Sequence, residues 1–162
     1  MHDVYLAFGS NVGDRGANIQ KALTDLEYWG VKILRSSSLY ETEPFGKKDQ
    51  QHFYNMAAHA VTDRSPEDLL TVLHAIERSL GRDRSREEPW GPRTIDLDVL
   101  FYGDTVMEVD LLTIPHRHLA GRRFVLVPLA EIAPGFVHPV LGKTVDQLLK
   151  ECTDEGKVTL LS

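Results

Sequence analysis

The order and patterning of the apolar segments predict an α+β fold built on a largely antiparallel sheet. Between Val4 and Phe101 they run strand, helix, strand, strand, helix, strand. Both helical segments carry apolar residues at three- and four-residue spacing behind a capping side chain. In the stretch Ile95–Phe101 the alternation is of period two, so Ile95, Leu97, Val99 and Phe101 can enter a core while Asp96 and Asp98 project from the opposite face. That element order is the split β-α-β arrangement, with helices packed on one face of the sheet.

Val4 to Phe8 reads as a short strand closed by a Gly9-Ser10-Asn11 turn. Ile19, Ala22, Leu23, Leu26 and Trp29 form a helical stripe with Asp14 as its cap. Residues 31–41 read as the second strand, 43–49 as a loop and 53–61 as the third strand. Ser65-Pro66-Glu67-Asp68 has the chemistry of a helix start: a capping hydroxyl, a proline in the first turn and acids at the positive end of the dipole. Leu69, Leu73, Ile76 and Leu80 follow on one face, and Gly81 stops the helix. After an arginine-rich loop comes the strand with the two aspartates. The remaining third is expected to add a hairpin between Tyr102 and Thr113, a helix near 125–132 and a last helix capped by Thr144 with Gln147 in capping-box register. This makes the expected core ferredoxin-like, with a C-terminal hairpin and helices added.

The 162 residues suit one domain, 1–162, with enough apolar surface for a stable core. No apolar run approaches membrane-spanning length, and the start has no basic segment followed by an apolar one, so a cytoplasmic protein without a membrane is expected. A single cysteine, Cys152, suits a reducing compartment; its helical step with Val145, Leu148 and Leu149 makes it a core residue rather than a nucleophile. The net charge of -6 argues against a nucleic-acid partner. Eight of the eighteen basic residues, all arginines, nevertheless lie between Arg78 and Arg123, together with His116 and His118. An acidic chain that gathers arginine around an acidic pair is suited to a compact polyanion and its metal.

Two carboxylates about 7 Å apart on one strand face repel each other unless a cation or a wet cleft compensates. Seen alone, such a pair is more simply a solvated strand face. A divalent ion with oxygen ligands, Mg²⁺ above all, is the economical alternative, and two such ions can clamp a transferring phosphoryl group. Phe53 and Asn55 share a strand face, setting a flat ring beside an amide that both donates and accepts, which suits a planar heterocycle. Pro115-His116-Arg117-His118 and Gly121-Arg122-Arg123-Phe124 add imidazole, guanidinium and a second ring. Two glycine motifs are set aside. Gly142-Lys143-Thr144 lacks the glycine five positions earlier that a phosphate loop needs, Val137 standing there, and reads as a turn and helix cap. The glycines of Gly9–Gly13 lack dinucleotide-binding spacing.

Taken together, Gly9-Ser10-Asn11, Tyr40-Glu41-Thr42-Glu43-Pro44, Phe53-Tyr54-Asn55, Gly81-Arg82-Asp83-Arg84, Trp90-Gly91-Pro92-Arg93-Thr94-Ile95-Asp96-Leu97-Asp98, Pro115-His116 and Pro128-Leu129 resemble the 6-hydroxymethyl-7,8-dihydropterin pyrophosphokinases of folate biosynthesis, in order and over nearly the whole chain. The resemblance implies a ferredoxin-like fold, ATP as co-substrate and donor, two Mg²⁺ ions, and AMP as second product. By position it implies that Asp96 and Asp98 hold the metals. Arg82 and Arg84 would close over the triphosphate, and Arg93, His116 and Arg122 would hold phosphate oxygens. Glu77, Trp90, Thr113 and Arg117 would lie on the nucleotide side. Phe53 and Phe124 would sandwich the pterin, while Asn55 and the backbone of Thr42, Glu43, Pro44 and Phe45 would read its edge. Arg82, Arg93, Asp96, Asp98 and His116 are the expected catalytic set.

The chain departs from that pattern at Leu111, where relatives often carry arginine. One triphosphate contact is therefore missing or supplied elsewhere, with Arg117 a candidate. Two rivals stand beside this reading: another Mg²⁺-dependent kinase acting on a different heterocycle, and a non-catalytic ligand- or RNA-binding module on the same scaffold. The second would want a basic sheet face rather than carboxylates. The oligomeric state is not fixed by the sequence, and a monomer is the working expectation.

Overall fold

The computed structural model describes residues 1–44, 49–82 and 92–161. Its elements are β1 (His2–Ser10), α1 (Arg15–Tyr28), β2 (Val31–Ser36), β3 (Tyr40–Thr42), β4 (Phe53–Thr62), α2 (Pro66–Ser79), β5 (Asp96–Tyr102), β6 (Met107–Val109), β7 (Leu112–Ile114), α3 (Arg123–Ile132), α4 (Val145–Glu151) and β8 (Val158–Leu160). A one-turn 3₁₀ segment, Leu119–Gly121, precedes α3. The main sheet runs β5-β1-β4-β3-β8, with β2 also on β4, and every pairing is antiparallel. This is the expected ferredoxin-like core.

Local chemistry explains the helix ends. Asp14 Oδ1 accepts from the Ala17 N–H at 3.0 Å, Ser65 Oγ caps α2 at Asp68 N, and Thr144 with Gln147 closes the capping box of α4. Gly81 adopts φ +90°, and the N–H of Arg82 then returns to the Glu77 carbonyl at 3.1 Å. That left-handed C-terminal turn folds residue 82 back beside α2.

Three expectations are corrected. Residues 31–41 are two strands, because Ser37 leaves the ladder: its N–H donates to the Ala57 carbonyl while its Oγ accepts from Ala57 N at 2.9 Å. Gly9 and Ser10 are not a turn but continue β1, opposite Asn55 and Tyr54. The two helices of the β-α-β core share one face of the sheet, as expected, and the added helices cover the other. α1 and α2 pack over Val4, Leu6, Phe8, Leu97 and Val99, and α3 and α4 over Tyr5, Ala57, Leu100 and Phe101. Phe101 therefore leaves the face of Leu97 and Val99, since the β1–β5 register slips between Tyr5 and Leu6 and places an extra residue, Leu100, in β5. The C-terminal strand β8 was not anticipated. Its three residues carry too little pattern to stand out from a polar tail.

Candidate active site

Three neighbouring strands build the floor of a cleft on the α3 side of the sheet. Asn55 of β4, Gly9 of β1 and Asp96 of β5 lie in one cross-strand row, and Ala57, Ala7 and Asp98 in the next. Phe53, Thr42, Arg82, Arg93, Arg122 and Phe124 complete the walls. Asp98 also borders a second cleft, formed by Leu70 and His74 of α2, Leu111–Thr113 of the hairpin, and His116, Arg117 and His118. The two clefts share that carboxylate.

Thr42 Oγ1 donates to Asn55 Oδ1 at 2.5 Å, with both residues buried, which turns the Asn55 amide nitrogen along the cleft floor. The Arg122 guanidinium lies 5.8 Å from the centre of the Phe124 ring. Burial pushes Arg122 below its ordinary pKa, an effect that Asp98 and Asp96 oppose. His116 is held by its N–H to the carbonyl of the bulged Leu100 at 3.0 Å, and its Nε2 stands 3.9 Å from Asp98 Oδ1. Burial, then the charge of Arg122, lowers its pKa to about 4. The neutral ring accepts from His118 N through Nδ1 at 3.2 Å, so its proton sits on Nε2, facing the carboxylates.

Glu77 and Arg82 meet beneath the first cleft. Glu77 is 1% exposed, and its Oε2 accepts from Arg82 Nη1 at 2.8 Å and from Leu97 N at 2.9 Å. The same Nη1 also donates to the Ile95 carbonyl at 3.1 Å and to Asp96 Oδ1 at 2.9 Å, with 4% of the side chain exposed. The turn at Gly81 creates this arrangement, and its effect is to fix one oxygen of Asp96.

Arg93 borders the first cleft, its backbone N–H and C=O both tied to Asn11. Thr113 and Arg117 border the second, with Arg117 Nη2 at 3.4 Å from Glu108 and 3.5 Å from Thr113 Oγ1. Pro44 is buried beside Thr42 without lining either cleft. Phe45, Arg84 and Trp90 lie outside the described residues. Sequence reasoning missed His74, although it sits one turn before Glu77 on α2, and it missed Asn11. The Asn11 Nδ2 donates to Gln50 Oε1 at 2.8 Å and to the Gln51 carbonyl at 3.0 Å, while its Oδ1 accepts from Arg93 N at 2.7 Å.

Asp96 and Asp98 are each a little over one-third exposed and offer only oxygen to an ion. Among the described residues no group of three or more acidic, histidine or cysteine side chains is placed to hold a metal. Two carboxylates offering oxygen alone suit the chemistry of Mg²⁺, which takes one or two carboxylates and completes its shell from water and phosphate.

A family model described as "7,8-dihydro-6-hydroxymethylpterin-pyrophosphokinase (HPPK)" matches residues 5–134. The chain belongs to this family. Among relatives, a Synechocystis protein named 2-amino-4-hydroxy-6-hydroxymethyldihydropteridine pyrophosphokinase is 44% identical over 155 residues, covering 94% of this chain and 78% of its own length. A Methylorubrum extorquens protein of the same name is 42% identical over 157 residues, 96% of this chain and 97% of that one. The folic acid synthesis protein fol1 of Pneumocystis carinii is 40% identical over 151 residues, 93% of this chain; the match spans only 20% of the longer fungal protein. A crystal structure of Plasmodium falciparum HPPK-DHPS with STZ-DHP superposes with TM-score 0.76 at 19% identity, over 93% of this chain and 43% of that one. The architecture of this HPPK-family chain is thus that of solved HPPK-containing proteins. No helix among the described residues is long and apolar enough to cross a membrane.

Proposed function

We propose that this chain transfers the β,γ-diphosphoryl group of ATP to the 6-hydroxymethyl oxygen of 6-hydroxymethyl-7,8-dihydropterin, giving the pterin diphosphate and AMP, a step of folate biosynthesis. The observation that carries this reading is the junction of the two clefts at Asp98. One cleft has an amide and two aromatic rings suited to a flat heterocycle, and the other has the imidazole and guanidinium groups suited to phosphates.

The pterin ring would lie between Phe53 and Phe124, with Asn55 reading its edge; such stacking contributes on the order of 1 to 3 kcal/mol per ring by analogy with nucleobases. The ATP triphosphate would run from the second cleft toward Arg93 and Arg122, whose charges face the oxygens that gain charge as the bridging bond breaks. In the balanced step, the hydroxymethyl oxygen bonds to the β-phosphorus, the bond from that phosphorus to the α,β-bridging oxygen breaks, and the alcohol proton is released. His116 Nε2–H would donate to a phosphate oxygen, and because burial lowers its pKa to about 4 it would do so as a neutral donor rather than as a cation. Asp96 and Asp98 would hold two Mg²⁺ ions, which supply charge neutralisation and alignment of the phosphates. Arg82, anchored by Glu77, would keep one oxygen of Asp96 turned away and so orient the other.

Residues 1–162 are read as one domain, since the last strand, β8, is bonded to β3 in the same sheet as β1. The chain is read as acting as a monomer, and its single cysteine suits the cytoplasm. The deciding experiment supplies the chain with ATP, Mg²⁺ and 6-hydroxymethyl-7,8-dihydropterin and identifies the adenine nucleotide released. AMP in step with consumed pterin is expected, whereas ADP, or ATP consumption independent of pterin, would overturn the reading.

A further inference from the structure

We propose that Gly9 is a positioning residue for the heterocycle: its missing side chain keeps the cleft floor flat and the Asn55 amide in place. The inference rests on the reading of this cleft as the pterin site and adds to it a residue outside the expected contact set. Gly9 sits on the central strand, opposite Asn55 on one side and Asp96 on the other. A bound ring that is recognised at Asn55 and reacts beside Asp96 must cross two strand spacings, about 9 to 10 Å, and the atoms beneath it are those of residue 9. Its neighbour on the same strand face, Ala7, is also small.

The space above Gly9 is already committed to the reading groups. A Cβ there would stand 3.1 Å from Asn55 Nδ2 and 3.5 Å from Phe53 Cδ1. The first distance is too short for an ordinary contact, so one partner must give way. Asn55 has little freedom to do so, because it is buried and its other amide atom is bonded to Thr42 Oγ1 at 2.5 Å. A methyl group at position 9 would therefore push the amide a few tenths of an ångström against its Thr42 bond, while the 3.5 Å to Phe53 is an ordinary contact. That change falls on heterocycle recognition, and the nucleotide cleft beyond Asp98 does not include residue 9.

The test is a double-mutant cycle with calorimetric binding of 6-hydroxymethylpterin as the probe, read beside binding of a non-hydrolysable ATP analogue with Mg²⁺. Gly9→Ala should weaken the pterin probe at least tenfold while ATP-analogue affinity and the unfolding midpoint change little. In the Asn55→Ala background, which removes the crowded amide, the same substitution should cost less than threefold further. Equal pterin affinity in Gly9→Ala and the parent, or the same loss in both backgrounds, would overturn the role assigned to Gly9. A variant that lost both ligands together would overturn it too, by exposing a structural requirement. Failure of the parent chain itself to bind the pterin would instead refute the function on which the inference stands.

Discussion

Glu77→Gln tests whether the buried ion pair beneath the site does what its geometry implies. The Glu77 carboxylate is 1% exposed and the Arg82 side chain 4%, so little solvent screens the pair. Glutamine keeps an oxygen for the Leu97 N–H but removes the charge that faces Arg82 at 2.8 Å. An ion pair is then replaced by a hydrogen bond from a charged donor to a neutral oxygen while Arg82 stays buried, at a cost of about 2 to 3 kcal/mol. For a chain of this length that corresponds to a fall in Tm of about 4 to 12 °C. The assay is urea unfolding followed by tryptophan fluorescence and circular dichroism, with an unchanged m-value as the check that the unfolded state is the same. Lys143→Ala is the contrast: it removes a Lys143–Glu151 pair whose side chains are 46% and 55% exposed, and should cost no more than about 0.5 kcal/mol. If Glu77→Gln cost as little as Lys143→Ala, the buried pair would not be holding Arg82 and Asp96 in place. Turnover should fall with Glu77→Gln as well, because Arg82 would then be drawn onto Asp96 alone.

Asp96→Ala and Asp98→Ala should each abolish AMP formation while leaving far-ultraviolet circular dichroism unchanged; near-parental turnover in either would remove that carboxylate from the reaction. Phe124→Ala should weaken 6-hydroxymethylpterin binding on the order of tenfold, from the loss of one stacked ring, and change ATP-analogue binding less than twofold by calorimetry. The metal-free protein should lose stability as pH falls from 7 to 5. His116 titrates near 4 when folded and near 6.5 when unfolded, so the unfolded state gains its proton first, a loss of about 2 kcal/mol at pH 5 that His116→Gln should largely abolish. An identical pH profile for parent and variant would mean that His116 is not desolvated in the folded chain.

Helices and caps were legible because their causes are local: Asp14, Ser65 and Thr144 each satisfy an N–H within three residues. Strand boundaries were less so. The break between β2 and β3 depends on Ser37 meeting Ala57, and the displacement of Phe101 depends on a register slip against β1, neither of which an alternating pattern contains. Periodicity told which side of each helix is apolar but not which face of the sheet receives it, so the packing of α3 and α4 opposite α1 and α2 could not be read. At the site, the shared face of Asp96 and Asp98 and that of Phe53 and Asn55 followed from strand alternation alone. The pairing of Glu77 with Arg82 was not legible, because it comes from a tertiary meeting with Asp96 and Leu97. Asn11 looked like turn chemistry, since both of its partner segments are distant in sequence.

The most direct measurement of the central claim is a crystal structure of the chain with 6-hydroxymethylpterin, a non-hydrolysable ATP analogue and Mn²⁺ in place of Mg²⁺, with anomalous scattering locating the metal. Two peaks within bonding distance of Asp96 and Asp98 oxygens, bridged to the phosphates, with the ring between Phe53 and Phe124, are expected. Peaks elsewhere, or a nucleotide seated away from both aspartates, would contradict the account.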